Sequence, residues 1–318
     1  EDVTFETGRK YAVKIEQSPG HGPVIRFVWT HVLDDPMGRA VEAAKKADLV
    51  IAVAGITSAL EGEEMTVNVP GFSGGDRTSL DMPKEELDLL KAVKVTGKPL
   101  VLVLMNGSAL SVNWASKHAN AILEAWYSGE EGGSAIAETL SGSNNPSGRL
   151  PVTFYTGVDQ LPPFTDYAMA GRTYRYFTGK PLYPFGYGLS YTRFAYGSPK
   201  LSTASLKAGE TLGVDVPVKN VGAVAGDAVP QLYLEFPKIP GTPIRALRGF
   251  TRVSLAPGEE KVVHFNLAPR DLMSVTDAGD PVVASGGYRL SVGEGQPGTG
   301  APTASADFKI AGTMALPE

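Results

Sequence analysis

Two short stretches of the chain are apolar throughout, and they limit the folds that it can adopt. They cover residues 49–54 and Leu100–Met105. Strands that are apolar on both faces are typical of a parallel sheet that helices cover on both sides. Asp35 followed by Pro36 is typical of the N-cap and first position of a helix. The alternation of strands with helical patterns therefore predicts a parallel α/β layer to about residue 154.

The remaining elements follow from apolar periodicity and from the turn residues between them. We expect helices from Asp35 through Ala47 and over residues 84–95 and 111–118, and a further strand over residues 121–126. Residues 129–140 are typical of a glycine-rich turn that opens a helix. From about residue 198 to 312 the pattern changes to short alternating strands between turns, which predicts a β-sandwich. The residues between the two regions, 155–197, are rich in aromatic side chains, and we expect an ordered connector.

The N-terminal residues alternate between apolar and polar side chains, which predicts a β-hairpin over residues 1–32. Tyr11, Val13 and Ile15 would share one face of its first strand. An isolated hairpin is only marginally stable in water, so we expect it to end a larger β-domain. The chain has neither an initiator methionine nor a signal peptide, which favours a mature or truncated product. We therefore divide the chain into residues 1–34, 35–197 and 198–318.

The composition excludes several functional classes. The net charge is −5, and no basic patch of the kind that binds phosphate backbones occurs, so we expect no nucleic-acid partner. No apolar run approaches the ~18 residues of a membrane span, so we expect no membrane partner. Cysteine is absent, which excludes disulfides and thiolate nucleophiles. Histidine and the acidic residues show no metal-ligand spacing, and we expect neither a metal nor another cofactor.

A long acidic loop follows the first apolar strand and precedes the helix at 84–95. It exceeds the ~12–15 residues above which loops without structure of their own are usually functional or disordered. It contains Glu61, Glu63, Glu64 and Asp76. Ligands of open α/β sheets bind beyond the carboxyl ends of strands, which is where this loop begins. Its carboxylates predict proton transfer to a ligand, and a solvated loop without function is the alternative.

Several longer segments carry a family resemblance. They read ADLVIAVAG at 47–55, GGDRTSLDMP at 74–83, GKPLVLVLMNGSAL at 97–110, RTYRYF at 172–177 and YPFGYGLSYTRF at 183–194. Residues 35–197 resemble the α/β sandwich domain of glycoside hydrolase family 3, the β-glucosidase and β-xylosidase family. Residues 198–312 resemble the family's fibronectin type III-like domain. Residues 1–32 resemble the last hairpin of the protective-antigen-type β-domain that some members insert.

The resemblance implies a fold and a reaction. The fold is an α/β sandwich with a mainly parallel sheet, followed by an all-β immunoglobulin- or fibronectin III-like sandwich. The reaction is retaining hydrolysis of β-linked glycosides: one carboxylate attacks the anomeric carbon, and another carboxyl group protonates the leaving oxygen and later deprotonates water. In the family the nucleophile is an aspartate on a barrel domain that precedes this region. The implied partners are that barrel and a β-linked oligosaccharide or glycoside.

In the family the acid/base is a glutamate on the sandwich-domain loop, which corresponds to residues 55–77. Glu61 lies at the expected offset from Gly55 and is the favoured residue, with Glu63 and Glu64 as alternatives. A general acid that works near neutral pH needs a dry or negatively charged setting. Because the nucleophile would lie elsewhere, the chain alone should be nearly inactive.

Asp76, Arg77 and Tyr174 are candidate substrate contacts under the same resemblance. Their structural alternatives are an Asp76–Arg77 pair that fixes the loop, and burial of Tyr174 in the connector. A second reading of the whole chain is a non-catalytic, carbohydrate-associated binding or scaffold module. The family also leads us to expect a periplasmic or extracellular location.

Overall fold

The structure is a computed structural model that describes residues 4–14 and 34–317. It consists of an α/β layer, an aromatic connector and a β-sandwich, in that order. The described residues 4–14 contain no strand, and the rest of the predicted N-terminal hairpin lies outside the described residues.

The longer strands and helices of the α/β layer alternate as predicted, and short elements lie between them and in the connector. In chain order they are α1 (Pro36–Lys46), β1 (Val50–Gly55), β2 (Phe72–Ser73), β3 (Asp76–Arg77), α2 (Lys84–Lys94), β4 (Leu100–Met105), α3 (Ala115–His118), β5 (Ala121–Glu124), α4 (Gly132–Ser141), a 3₁₀ turn (Val158–Gln160) and α5 (Thr173–Tyr176). Strands β1, β4 and β5 form a parallel sheet in the order β1-β4-β5. The predicted parallel layer is confirmed, and the carboxyl ends of its strands meet at one edge.

Local sequence signals account for the start of α1. The Asp35 carboxylate accepts a hydrogen bond from the Gly38 N–H at 2.9 Å, and Pro36 occupies the first turn. This N-cap satisfies a backbone donor that the helix itself leaves unpaired. The predicted helix at 111–118 is shorter than expected and begins at Ala115. Ser111 instead forms an isolated β-bridge with Asp81, and its N–H donates to the Leu80 carbonyl.

One face of the parallel sheet packs on α1 and α2. Leu90 of α2 and Leu102 of β4 are buried in this core. The other face is open at β1, where the side chains of Ile51 and Val53 are 49% and 62% exposed. The prediction of burial on both faces is therefore right for β4 and wrong for β1, because β1 is the edge strand of the described sheet.

The C-terminal region is a β-sandwich, as predicted. Its elements are β6 (Phe194–Tyr196), β7 (Lys200–Leu201), β8 (Ser205–Lys207), β9 (Leu212–Asn220), β10 (Gly226–Ala228), β11 (Gln231–Glu235), β12 (Ala246–Phe250), β13 (Val253–Leu255), β14 (Glu260–Leu267), α6 (Pro269–Leu272), β15 (Ser274–Val275), β16 (Pro281–Val283), β17 (Gly286–Gly293), β18 (Thr303–Ala311) and β19 (Met314–Ala315). One sheet has the order β12-β11-β17-β18-β8, and the facing sheet has the order β14-β9-β6.

Alternation along the strands builds the core of this sandwich. Leu212, Val214, Val216 and Val218 of β9 are fully buried, and they share one apolar cluster with Leu290 of β17 in the other sheet. Every second side chain of a strand points to the same face, so one face of β9 supplies its part of the core.

The connector is ordered by stacked aromatic rings and by contacts with the sandwich. Tyr174 stacks on Phe185 with a centroid distance of 4.2 Å, and Tyr183 stacks on Tyr187 at 5.3 Å. The side chain of Gln231 in β11 donates to the Gly186 carbonyl at 2.9 Å. These contacts attach the connector to the β-sandwich.

Truncation of Leu102 should destabilise the α/β layer. Leu102 is 0% exposed, and Leu102→Ala should lower the free energy of unfolding by about 2–5 kcal/mol because it removes buried methyl groups and leaves a cavity. The matched control is Leu189→Ala, since Leu189 is 70% exposed and its truncation should change stability by less than ~0.5 kcal/mol. Urea denaturation measures both, and equal losses would contradict the assigned core.

Candidate active site

Three loops meet where the parallel strands end. They follow β1, β4 and β5, and they bring together Glu61, Ser108 and Tyr127. These residues are far apart in the sequence but adjacent at the carboxyl edge of the sheet, which is where open α/β sheets bind ligands. We call Glu61, Ser108, Tyr127 and Arg77 the carboxylate site.

The Glu61 carboxylate accepts two side-chain hydrogen bonds from the other loops. The Ser108 hydroxyl donates to Oε1 at 2.5 Å, and the Tyr127 hydroxyl lies 2.9 Å from Oε2. The Tyr127 hydroxyl also lies 2.5 Å from the Ile56 carbonyl. It has a single proton, so it donates to one of these acceptors at a time. The loops after β4 and β5 thus fix both oxygens of a carboxylate that belongs to the loop after β1.

Arg77 holds the long acidic loop against the loop after β4. Its Nη1 donates to the Ser108 hydroxyl at 2.9 Å and to the Ala109 carbonyl at 2.8 Å, and its Nε donates to the Ser79 carbonyl. Burial lowers the pKa of Arg77, and the charge of Glu61 acts in the opposite direction. The guanidinium stays protonated at any physiological pH, so a fixed positive charge lies near the Glu61 carboxylate.

The Tyr127 hydroxyl remains a hydrogen-bond donor at neutral pH. Burial, together with the hydrogen bond to Glu61, raises the pKa of Tyr127 to about 12. Glu61 itself is half-buried beside Ser108, Tyr127 and Arg77. The dry or negatively charged setting expected for a general acid stays a prediction.

Gly107 leaves the space that the Tyr127 ring occupies. A Cβ atom on Gly107 would lie 2.6 Å from Cε2 of Tyr127 and 3.4 Å from Oε2 of Glu61. The first of these distances is far shorter than a van der Waals contact. A glycine at this position is thus a geometric requirement of the carboxylate site.

A second carboxyl group, Glu124, lies behind this site at the end of β5. It accepts hydrogen bonds from the Trp126 N–H at 3.2 Å and from the Asn106 amide at 3.4 Å. Burial raises the pKa of Glu124 to about 7, although both hydrogen bonds act to lower it. Burial dominates because it disfavours the charged form of a carboxyl group.

The structure brings some of the predicted site residues together and not others. Glu61 and Arg77 lie in the carboxylate site, whereas Glu63, Glu64 and Asp76 are exposed on the same loop. The structural alternative proposed for Arg77 takes a different form. The described hydrogen-bond partners of Arg77 are Ser79 on its own loop and Ser108 and Ala109 on the loop after β4, and Asp76 is not among them.

Tyr174 lies apart from the carboxylate site, at the junction of the connector and the β-sandwich. Its hydroxyl accepts a hydrogen bond from the Leu247 N–H at 3.0 Å, and its ring packs on Phe185 and Tyr233. These contacts match the alternative of connector packing, and a role in substrate binding stays a prediction.

Sequence reasoning missed Ser108, Tyr127 and Glu124. One signal could have found them, because all three lie at or shortly after the carboxyl ends of β4 and β5. The rule that pointed to the loop after β1 applies equally to these neighbouring strands.

Residues 4–14 and 34–317 contain no group of three or more histidine and acidic side chains that could hold a metal ion. No helix in these residues is long and apolar enough to cross a membrane.

Comparison with known proteins identifies the family. Residues 3–191 match the glycosyl hydrolase family 3 C-terminal domain, and residues 228–296 match a fibronectin type III-like domain. The chain belongs to glycosyl hydrolase family 3, which confirms the resemblance seen in the sequence. The first match includes residues that we assigned to a separate hairpin, so the domain division at residue 34 stays a prediction.

Similar proteins include enzymes that are named β-xylosidases and enzymes that are named β-glucosidases. A xylan 1,4-beta-xylosidase of Xylanibacter ruminicola is 39% identical over 84% of this chain and 31% of its own length. A periplasmic beta-glucosidase of Salmonella typhimurium is 41% identical over 71% of this chain and 30% of its own. A solved β-glucosidase structure from Erythrobacter marinus is 36% identical, with a TM-score of 0.75 over 86% of this chain and 36% of that one. The chain thus spans about a third of the length of these relatives.

A methyl group on Gly107 should displace Tyr127. In a crystal structure of Gly107→Ala, we expect the Tyr127 ring to rotate away and its hydroxyl to leave Glu61, because the new Cβ would lie 2.6 Å from the ring. Gly129→Ala is the matched control, since its added Cβ would meet no atom within 4 Å. A Tyr127–Glu61 hydrogen bond that survives in Gly107→Ala would contradict the geometry of the site.

Neutralising Glu124 should change how stability depends on pH. The folded state holds the Glu124 proton up to a pKa of about 7, whereas the ordinary value is 4.5. As pH rises between these values, the unfolded state releases the proton first. The free energy of unfolding of the native protein should therefore fall by up to about 3 kcal/mol relative to that of Glu124→Gln. Urea denaturation of both proteins from pH 4.5 to pH 8 measures the difference, and parallel stability curves would refute it.

Proposed function

We propose that this chain supplies the general acid/base of a retaining β-glycosidase that hydrolyses β-linked glycosides. The observation that supports the proposal is the Glu61 carboxylate, held by Ser108 and Tyr127 beyond the carboxyl ends of three parallel strands. Membership of the family indicates the reaction in which this carboxylate would take part.

In the proposed mechanism Glu61 acts in two successive steps. In the first step its carboxyl group donates a proton to the leaving oxygen while a nucleophilic carboxylate attacks the anomeric carbon. In the second step the ionised carboxylate takes a proton from water while the water oxygen attacks the anomeric carbon, and the bond from that carbon to the nucleophilic carboxylate breaks. The hydrogen bonds from Ser108 and Tyr127 would hold the Glu61 carboxyl group in one place through both steps. Glu63 and Glu64 are the alternatives, but their side chains are exposed.

The nucleophile belongs, in this proposal, to another part of the catalytic unit. We propose a barrel domain that carries an aspartate and faces the carboxylate site. The length of the relatives supports this partner, because the xylosidase of Xylanibacter ruminicola has more than two-thirds of its length outside the match. By itself the 318-residue chain should then show almost no turnover.

The proposed substrates are aryl or oligosaccharide β-glucosides and β-xylosides. The relatives named above include both a β-xylosidase and a β-glucosidase at nearly equal identity, so we propose both sugars. We also propose a periplasmic or extracellular location, which agrees with the name of the Salmonella typhimurium relative. Exposed Asp76 and half-buried Arg77 remain candidate contacts of the sugar.

Glu61→Gln tests the acid role in the complete polypeptide that the gene encodes. We expect kcat/KM to fall by about 10²–10⁴-fold for β-glycosides with poor, basic leaving groups, which need protonation. It should fall far less for nitrophenyl glycosides, whose leaving groups depart without a proton. Glu63→Gln, on the same loop, should leave both values nearly unchanged.

Two outcomes would count against the proposal. Equal losses of kcat/KM for good and poor leaving groups would exclude Glu61 as the acid. Absence of hydrolysis by the complete native polypeptide, combined with measurable binding of the same glycosides, would favour the non-catalytic binding module.

A further inference from the structure

We infer that Glu124 is a positioning residue that holds Tyr127 against the Glu61 carboxylate. This inference rests on the proposed function, because it gives Glu124 a part in the acid/base work of Glu61. The juxtaposition that carries it is the hydrogen bond that the Trp126 N–H donates to the Glu124 carboxylate, since Trp126 directly precedes Tyr127.

The backbone turn after β5 has an unfavourable conformation. Trp126 has φ = 54°, a left-handed conformation that non-glycine residues rarely adopt and that is costly for a bulky side chain. The Glu124 carboxylate accepts the Trp126 N–H, and the indole packs edge-on against Phe154 with a centroid distance of 6.1 Å. These two contacts stabilise an otherwise unfavourable turn.

The position of the Tyr127 side chain depends on that turn. The Tyr127 side chain is 46% exposed, so surrounding packing constrains it only in part. Its hydroxyl nevertheless reaches the Glu61 carboxylate and the Ile56 carbonyl. The direction in which the side chain leaves the backbone is set at Trp126, and a relaxed turn would point it elsewhere.

Glu124 is also connected, through Asn106, to Ser108, which is the other residue that donates a hydrogen bond to Glu61. Asn106 is fully buried, and its amide donates to the Ser108 carbonyl at 2.8 Å and lies 3.4 Å from the second oxygen of Glu124. Glu124 therefore contacts Trp126, which precedes Tyr127, and Asn106, which is hydrogen-bonded to Ser108. Tyr127 and Ser108 are the two residues that hydrogen-bond to Glu61. Glu124 is half-buried, and its loss of solvent raises its pKa, so its two hydrogen-bond donors offset part of the cost of removing a carboxyl group from water.

The test compares Glu124→Gln with Glu124→Met in the complete polypeptide. Both side chains are uncharged and close to glutamate in size, but only glutamine keeps an oxygen acceptor for the Trp126 N–H. Crystal structures of the two variants give the Tyr127–Glu61 distance. Kinetics with nitrophenyl glycosides and with glycosides of basic alcohols give kcat/KM for good and poor leaving groups.

For Glu124→Gln we expect the Tyr127–Glu61 hydrogen bond to remain and kcat/KM to stay within about threefold of the native value. For Glu124→Met we expect Tyr127 to leave Glu61, and kcat/KM for poor leaving groups to fall by about tenfold or more, with a much smaller change for nitrophenyl glycosides. Added to Tyr127→Phe, Glu124→Met should cost much less than it does alone, because residues that act through one another are not additive.

A Glu124→Met crystal structure that keeps the Tyr127–Glu61 hydrogen bond would overturn the inference. Full additivity with Tyr127→Phe, or equal losses for both leaving groups, would also overturn it. If Glu124→Met does not fold, Glu124→Leu takes its place in the same comparison. Failure of the proposed function would appear separately, as a Glu61→Gln variant without any dependence on the leaving group, and it would leave the crystallographic comparison intact.

Discussion

The carboxylate site depends on one constraint, the alignment of three parallel strands whose carboxyl ends reach a common edge. The backbone hydrogen bonds of β1, β4 and β5 fix the register of these strands. The register in turn decides which residues of the following loops can meet. Glu61 receives hydrogen bonds from Ser108 and Tyr127 only because their loops leave the sheet side by side.

The same edge places two carboxyl groups in different surroundings. Arg77 and two hydroxyl groups lie around the Glu61 carboxylate, whereas burial favours the neutral form of Glu124 at the end of β5. In enzymes, the surroundings of a carboxyl group commonly decide its role in proton transfer.

Most of the fold could be predicted from the sequence because its signals are local. Continuous apolar runs predicted β4 correctly, the Asp35-Pro36 pair predicted the start of α1, and alternation predicted the β-sandwich. The exposure of Ile51 and Val53 could not be predicted, because the position of a strand at the edge of a sheet depends on its neighbours. Glu61 and Arg77 were found through the long loop and the family resemblance.

By itself the sequence determined the succession of elements, the absence of cysteine chemistry and the family, since periodicity and motifs reside in contiguous residues. Only the tertiary structure decided that Tyr127 and Ser108 share one carboxylate with Glu61, and that Glu124 lies beneath their loops. The physical reason is that hydrogen bonds act over about 3 Å, and residues so distant along the chain reach that separation only when the sheet has formed.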